Sequence, residues 1–251
     1  MVDLELGGLM PVAFIVGAGD YIGAAIAKRF AQGGFTVCMG RRNGEKLVPL
    51  IAQIESAGGK AHGFSMDARL EESVATTFEK VEQTTGPIDV VISNVGGNVQ
   101  FNIEDTTTRV FRKVWEMATF SGFLVGREAA KYMVPRKAGS IFFTGASASM
   151  RGTAGYAAFG AGKAGLRSIA QTLAKELGPK GIHVSHLVID AGVDTAFVRE
   201  RMEKAGIHPD SVPPDTLMDP ASVAEAYWVL HHQKRDGWTF EMDIRPYVET
   251  W

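Results

Sequence analysis

Short apolar runs alternate with segments of helical periodicity over most of the 251 residues of this chain. The first run, residues 11–16, ends in a glycine-rich turn, and a helical pattern over residues 22–32 follows it. Strands that are apolar on both faces and are separated by helices are typical of a parallel sheet with helices packed on both sides. The alternation therefore predicts an α/β fold built on a doubly wound parallel sheet.

The same pattern sets the expected element boundaries. Strands are predicted over residues 11–16, 36–39, 61–65, 88–93, 140–144, 182–189 and 238–244. Helices are predicted over residues 22–32, 45–56, 71–83, 106–115, 120–133, a long stretch that begins near Gly155, and 221–231. The last strand alternates apolar and polar residues, as an edge strand with one exposed face does. Because no linker or repeat divides the chain, residues 1–251 are predicted to form a single domain.

The charge balance argues against a polyanionic partner. The chain carries 26 Lys and Arg against 28 Asp and Glu, interspersed in sequence, so we expect neither nucleic-acid binding nor an anionic membrane surface. The single cysteine, Cys38, cannot form an intrachain disulfide, and no signal-like or membrane-spanning run is present. The expected location is the cytoplasm. No spacing of His, Cys and acidic residues indicates a metal site.

The glycine-rich turn after the first strand is a candidate nucleotide site. At this place in an α/β fold, the pyrophosphate of a dinucleotide meets backbone N–H groups and the positive end of the helix dipole. The spacing departs from Gly-x-Gly-x-x-Gly, so a plain tight turn is the alternative. The candidate cofactor contacts in this turn are Gly17, Gly19, Tyr21, Ile22 and Gly23.

Two arginines follow the second predicted strand. Arg41 and Arg42 stand where a carboxylate would bind the ribose 2′-hydroxyl of NAD, and arginine at that place suits the 2′-phosphate of NADP(H). The alternative is an exposed basic turn, because Asp20 nearby would repel a phosphate.

The third and fourth strands are also followed by candidate cofactor contacts. Asp67 and Ala68 come after the third strand, and Asn94 and Gly96 come after the fourth. Ligands of open α/β sheets bind at the carboxyl ends of the strands, which favours a binding role for these residues. A helix N-cap or a simple glycine turn would explain each of them equally well.

The long helical stretch that begins near Gly155 contains candidate catalytic positions. Phe159 and Lys163 are four residues apart and share one helix face. A lysine there can act on a bound ligand, but a phenylalanine can donate no proton. Gly160 and Gly162 each cost roughly 1 kcal/mol relative to alanine inside a helix, so a ligand or a neighbouring helix is expected to approach closely there.

In their order along the chain, these motifs resemble the short-chain dehydrogenase/reductase family over nearly the whole sequence. The family's glycine-rich turn and its adenine-contacting acid match Gly17, Gly23 and Asp67, and its Tyr-x-x-x-Lys motif falls on residues 159–163. Its contacts to the nicotinamide carboxamide match Val193 and Thr195. The resemblance implies a Rossmann-type fold, NADP(H) or alternatively NAD as cofactor, a small-molecule substrate, and a homo-oligomer, either dimer or tetramer.

The departures from the family pattern fall where catalysis would occur. The proton-donating tyrosine aligns with Phe159, the oxyanion-polarising serine with Ala146, and the asparagine of the central helix with Thr119. Only Lys163 remains of those four residues. In addition, Tyr21 replaces the middle glycine of the first turn, where it either crowds the pyrophosphate or points outward toward the adenine.

Two nearby hydroxyls are candidate replacements. Loss of a general acid costs about 10²–10⁴-fold in rate and loss of an oxyanion donor about 10²–10³-fold, so ordinary ketone reduction is expected to be very slow. Tyr156 shares a helix face with Lys163 but lies about 10.5 Å from it along the helix axis. Ser147 adjoins Ala146 but would face the opposite side of an extended segment. Lys163, Tyr156 and Ser147 are therefore the candidate catalytic residues.

Residues 192–218, rich in Pro, Asp and Met, are the least regular part of the chain and are predicted to form a lid over the cleft. Phe197 and Met202 within it either line a substrate pocket or pack in a core or an interface. The resemblance implies an oxidoreductase that acts on a carbonyl or an alcohol. The alternative is a catalytically degenerate nucleotide-binding protein that serves as a sensor or a scaffold.

Overall fold

A single parallel sheet of seven strands organises residues 10–250, which are the residues that the computed structural model describes. The strands are β1 Val12–Val16, β2 Thr36–Arg41, β3 Lys60–Ser65, β4 Ile88–Ser93, β5 Ser140–Thr144, β6 His183–Ile189 and β7 Glu241–Ile244. Their spatial order is β3-β2-β1-β4-β5-β6-β7, and every neighbouring pair is parallel. This confirms the predicted doubly wound sheet. The strand order reverses between β1 and β4, where open α/β sheets bind ligands.

Helices connect the strands and cover both faces of the sheet. They are α1 Ile22–Gln32, α2 Val48–Ser56, α3 Glu71–Thr84, α4 Thr108–Trp115, α5 Ser121–Arg136, α6 Ala157–Leu177, α7 Ala196–Lys204 and α8 Pro220–His231. The helix α7 lies in the segment that was predicted to be irregular. None of its residues is buried, so its sequence carries no apolar stripe that would reveal a helix.

The core consists of two apolar layers, one on each face of the sheet. In β1, Phe14 joins one cluster with Phe78 and Phe143, while the next residue, Ile15, joins the other with Phe30. Both faces of the strand are therefore buried, which explains why its sequence is continuously apolar. No helix within residues 10–250 has the length and apolar character needed to cross a bilayer.

Candidate cofactor and substrate cleft

A cleft of about 1030 Å³ lies at the carboxyl ends of the central strands. Asn94 and Gly96 line it after β4, Ala146 lines it after β5, and Phe159 and Lys163 line it from α6. The helix α7 and the residues that follow it complete the wall. The volume is at the upper end of the range for small-molecule pockets. The place in the fold is the one that the strand order indicates for a ligand.

The glycine turn is shaped by close contact with the neighbouring loop. Gly17 has a φ of +88°, and a Cβ on it would lie 2.8 Å from the backbone oxygen of Asn94. A Cβ on Gly23 would lie 2.6 Å from the Cα of Ala18, so both positions require glycine for backbone reasons. Nothing lies within 4 Å of a Cβ at Gly19, which leaves open space above the turn.

Tyr21 spans from this turn to the opposite wall of the cleft. Its hydroxyl accepts a hydrogen bond of 3.1 Å from the backbone N–H of Ala196, the first residue of α7. The side chain is 41% exposed. Tyr21 therefore connects the glycine turn with the lid segment, residues 192–218.

The polar groups around the expected adenosine end are paired with one another. Arg41 donates to Asp20 at 2.6 Å, and this hydrogen bond lowers the pKa of the Asp20 carboxyl. Asp67 accepts from Arg69 at 2.6 Å, which likewise lowers the pKa of Asp67. Arg42 is exposed. Asp20 thus pairs with Arg41 and partly neutralises it, so Arg42 is the more available cation after β2.

The remaining candidate cofactor contacts divide into two groups. Ile22, Gly96, Val193 and Thr195 line the cleft. Ala68 is not among the residues that line it and packs in the apolar cluster that contains Phe64 and Met66.

A chain of hydrogen bonds connects the glycine turn with Lys163. The Asn94 side chain donates to the Gly17 carbonyl at 3.1 Å and accepts from the Thr144 hydroxyl at 3.0 Å. The Lys163 ammonium donates to the backbone carbonyl of Thr144 at 2.7 Å. Lys163 is 5% exposed, and burial lowers its pKa to about 8. Its Nζ lies 5.9 Å from the centre of the Phe159 ring, within the range of a cation–π interaction.

The two candidate replacement hydroxyls point to other partners. Ser147 donates a short hydrogen bond to Asp190, which also accepts from Arg151 at 3.0 Å. The hydroxyl of Tyr156 accepts from Arg201 of α7. Neither Ser147 nor Tyr156 lines the cleft. The extended backbone at Ala146 turns the Ser147 side chain away from the cleft, and Tyr156 lies before the first residue of α6. Both hydroxyls therefore bond side chains that are distant in sequence.

Thr119 has a hydrogen-bond partner within the protein. It lies in a π-helical turn, residues 116–120, between α4 and α5, and its hydroxyl donates to the Gly162 carbonyl at 2.7 Å. A Cβ on Gly165 would lie 2.6 Å from the Thr119 hydroxyl oxygen, and a Cβ on Gly162 would lie 3.2 Å from Cβ of Ala118. The glycines of α6 therefore serve its close packing against this turn.

The lid segment places two apolar side chains in the cleft. Phe197 and Met202 both line it from α7. The segment is anchored at its ends by a parallel bridge between Val193 and Met218 and at its middle by Arg199, which pairs with Asp194 at 2.6 Å.

Sequence reasoning missed several cleft residues. Thr144 stands at the carboxyl end of β5, a position at which the strand pattern alone indicates a candidate. Gln100, Arg201 and Leu217 also line the cleft. They lie in irregular segments or in a helix without an apolar stripe, so the sequence spacing does not indicate that they face the cleft.

Comparisons with known proteins agree with this arrangement. Residues 11–206 match the family described as short chain dehydrogenase. A short-chain dehydrogenase/reductase of Armillaria gallica is 34% identical over 177 residues, which cover 69% of this chain and 68% of the relative. Three further curated relatives are covered over 66%, 39% and 30% of their own length.

Solved structures extend the similarity to nearly the whole chain. A short-chain dehydrogenase from Rhodopseudomonas palustris is 50% identical, with a TM-score of 0.81 over 94% of this chain and 99% of that one. A variant of actinorhodin polyketide ketoreductase crystallised with NADPH is 23% identical and shares the fold, with a TM-score of 0.87 over 94% of this chain and 96% of that one. The chain belongs to the short-chain dehydrogenase family of oxidoreductases.

Proposed function

We propose that this chain is an NADP(H)-dependent oxidoreductase, formed as a single domain and working in the cytoplasm on a small carbonyl or alcohol substrate. Its usual serine, tyrosine and asparagine are replaced by Ala146, Phe159 and Thr119. The observation that carries the proposal is the buried Lys163, whose ammonium faces the cleft from a hydrogen-bonded chain that begins at the glycine turn.

The residues present fit a dinucleotide. The glycine turn leaves open space above Gly19, and a Cβ on Gly96 would lie 3.1 Å from the Lys163 Nζ, so a side chain at position 96 would crowd the ammonium. Gly17 to Gly23 would hold the pyrophosphate, Lys163 the nicotinamide ribose, and Val193 and Thr195 the carboxamide. When bound, the cofactor supplies or accepts a hydride.

The protein's own groups then determine which chemistry is favoured. Phe159 and Ala146 line the cleft beside Lys163 but have no proton to donate there. Lys163 supplies positive charge beside the reacting end, because its pKa of about 8 leaves it largely protonated at neutral pH. A carbonyl or enone substrate would take its proton from water or from the Tyr156 hydroxyl. Movement of the lid segment would free that hydroxyl.

The choice between NADP(H) and NAD depends on the residues that follow β2. Arg42 is exposed after β2 and lies close enough to Asp67 to lower the pKa of that carboxyl, so it would offer a charge to a 2′-phosphate. NADP(H) is therefore favoured, with NAD as the alternative; structures that share the fold have been solved with NADPH and with NAD+ bound.

One observation favours a second function, a nucleotide-binding sensor or scaffold without turnover. The hydroxyls of Ser147 and Tyr156 are both engaged by other side chains, Asp190 and Arg201. No proton donor of the family type then remains beside Lys163 in the described part of the cleft.

Titration with NADPH and NADH, followed by nicotinamide fluorescence and melting temperature together, tests both functions. Saturable binding of NADPH at micromolar concentration, about −8 kcal/mol, supports either of them. Turnover across a panel of ketones, enones and alcohols supports the oxidoreductase and excludes the pure sensor. Failure of both nucleotides to bind contradicts both proposals.

An aromatic surface supports the proposed homo-oligomer, a dimer or a tetramer. Phe111, Trp115 and Phe123 on α4 and α5 are 42%, 39% and 40% exposed, and Trp115 stacks on Phe120 at 5.8 Å between ring centres. Neighbouring exposed aromatics on adjacent helices are typical of an interaction surface. Light scattering of the purified protein tests this, and Trp115→Arg is expected to shift an oligomer toward monomer.

A further inference from the structure

Three cationic side chains line the cleft within residues 10–250, and they differ in their partners and in their exposure. Lys163 is buried and donates to the Thr144 carbonyl, and it is the cation assigned above to the cofactor. Lys204 pairs with Glu200 at 2.6 Å. Arg201 is exposed and forms no ion pair with any carboxylate in the described residues. It is therefore the cleft cation, apart from Lys163, whose charge is available to a ligand.

Tyr156 holds Arg201 in place without neutralising it. The Nη2 group donates to the Tyr156 hydroxyl, and the guanidinium carbon lies 5.4 Å from the centre of the tyrosine ring. A guanidinium has five N–H donors in a fixed plane, so most of them remain for a ligand. A guanidinium whose orientation is already fixed loses less entropy when it binds a planar anion.

The surroundings of Arg201 in the cleft are apolar. The larger apolar side chains that line the same cleft include Phe159, Phe197, Met202, Ile207 and Leu217, and Phe197 and Met202 belong to the same helix as Arg201. An apolar lining with one oriented cation selects a ligand that has an apolar body and one anionic group.

We propose that the substrate carries a carboxylate, and that Arg201 is the specificity-determining residue that binds it through two parallel N–H donors while the apolar lining holds the rest of the molecule. This inference deepens the proposed function and rests on it for the reacting end of the substrate. It assigns Tyr156 a positioning role through Arg201.

The charge at the rim favours a carboxylate over a phosphate. Glu249 also lines the cleft and is exposed there. One guanidinium balances one negative charge, whereas a phosphate monoester carries about −1.5 to −2 at neutral pH. A phosphate would thus leave excess negative charge in a cleft that Glu249 also lines.

Binding of simple probes tests the inference without turnover. Calorimetry would compare octanoate, methyl octanoate and octyl phosphate on the wild type and on Arg201→Gln, Arg201→Lys, Tyr156→Phe and Lys204→Gln. We expect octanoate to bind the wild type about tenfold more tightly than its ester, as a charge-assisted hydrogen bond allows. Arg201→Gln should reduce this ratio to about one, and Arg201→Lys should restore part of it, because lysine keeps the charge and loses the planar fork.

The other variants distinguish binding by Arg201 itself from a general effect of positive charge on the helix. Lys204→Gln removes one positive charge from the same helix, and the ratio of acid to ester should stay within about twofold of the wild-type ratio, because Glu200 already pairs with Lys204. Tyr156→Phe should lower the ratio to an intermediate value while the binding of methyl octanoate stays unchanged. If Arg201→Gln fails to fold, the ratio of acid to ester affinity in Arg201→Lys tests the inference instead.

Three results would overturn the inference: equal binding of acid and ester by the wild type, an unchanged ratio in Arg201→Gln, or tighter binding of octyl phosphate than of octanoate. An NADPH titration on the same samples distinguishes this failure from failure of the proposed function. Wild type that binds NADPH without preferring octanoate overturns the carboxylate site alone. Wild type that prefers octanoate without binding NADPH supports the anion site and overturns the proposed cofactor.

Discussion

Two neighbouring regions of the cleft differ in how their polar groups are held. Between the glycine turn and α6, Asn94 is bonded to Gly17 and Thr144, and Lys163 is bonded to Thr144. At the proposed reacting end, which adjoins Lys163, Phe159 and Ala146 line the cleft with no polar atom on their side chains. Side chains of the first region satisfy polar groups of the protein itself, whereas Phe159 and Ala146 satisfy none.

Thr119 lies between these two cases. It lies beside α6, which also carries Lys163, and its hydroxyl bonds the Gly162 carbonyl and keeps the π-helical turn against that helix. A side chain that bonds no group of the protein can be exchanged without leaving a buried polar group unpaired. Where a side chain also satisfies a buried backbone group, its replacement must keep a hydrogen-bonding atom.

The largest expected effect comes from rebuilding the reacting end. The double variant Phe159→Tyr with Ala146→Ser restores a proton donor and an oxyanion donor beside Lys163, and kcat/KM for ketone reduction should rise about 100-fold or more. Steady-state kinetics with NADPH measures it, with each single variant as its control. Absence of any gain, while NADPH still binds, would show that the reacting end differs from the family pocket in more than these two side chains.

Removal of the Lys163 ammonium should weaken NADPH binding. Lys163→Met keeps the length of the side chain and removes the ammonium that bonds Thr144 and faces the cleft, so the Kd for NADPH should rise at least about tenfold, the value of one charge-assisted hydrogen bond. Fluorescence titration measures the change. Lys175→Met on the exposed part of α6 is the matched control and should bind NADPH like the wild type. An unchanged Kd in Lys163→Met would remove the central support for cofactor binding.

The lowered pKa of Lys163 predicts a pH dependence of the free energy of unfolding. Burial lowers the pKa of Lys163 to about 8, whereas its ordinary value is 10.5, so between these two values the unfolded chain binds more protons than the folded one. The free energy of unfolding therefore gains a contribution as pH rises from about 8 toward 10. The difference between wild type and Lys163→Met in urea midpoint isolates this contribution from other titrating groups. A difference that stays constant over that range would contradict the lowered pKa.

The smallest effect is expected at Tyr21. Tyr21→Phe removes the acceptor for the Ala196 N–H at an exposed site, which should cost about 0.5–1.5 kcal/mol of contact between the glycine turn and the lid segment. Hydrogen exchange of the α7 amides should become faster. The NADPH affinity would change only a few-fold, as one neutral hydrogen bond allows. Exchange rates equal to those of the wild type would mean that Tyr21 does not restrain α7.

Much of the fold could be predicted because burial leaves a periodic signal. The predicted bounds of α1, residues 22–32, agree with the structure, and β4 and β5 also have their predicted bounds. The helix α7 could not be predicted because it buries none of its residues. β7 is shorter than predicted, Glu241–Ile244, since its pairing with β6 begins only at Glu241.

The sequence by itself determined the alternation of strands and helices, the family, and the identity of the side chains at the reacting end, because each of these depends on residue type and local order. Only the tertiary structure decided the partners of the polar groups. Ser147 bonds Asp190, Tyr156 bonds Arg201 and Tyr21 bonds Ala196 across 43, 45 and 175 residues of chain. Such contacts depend on the directions in which distant elements present their side chains, and no local pattern encodes those directions.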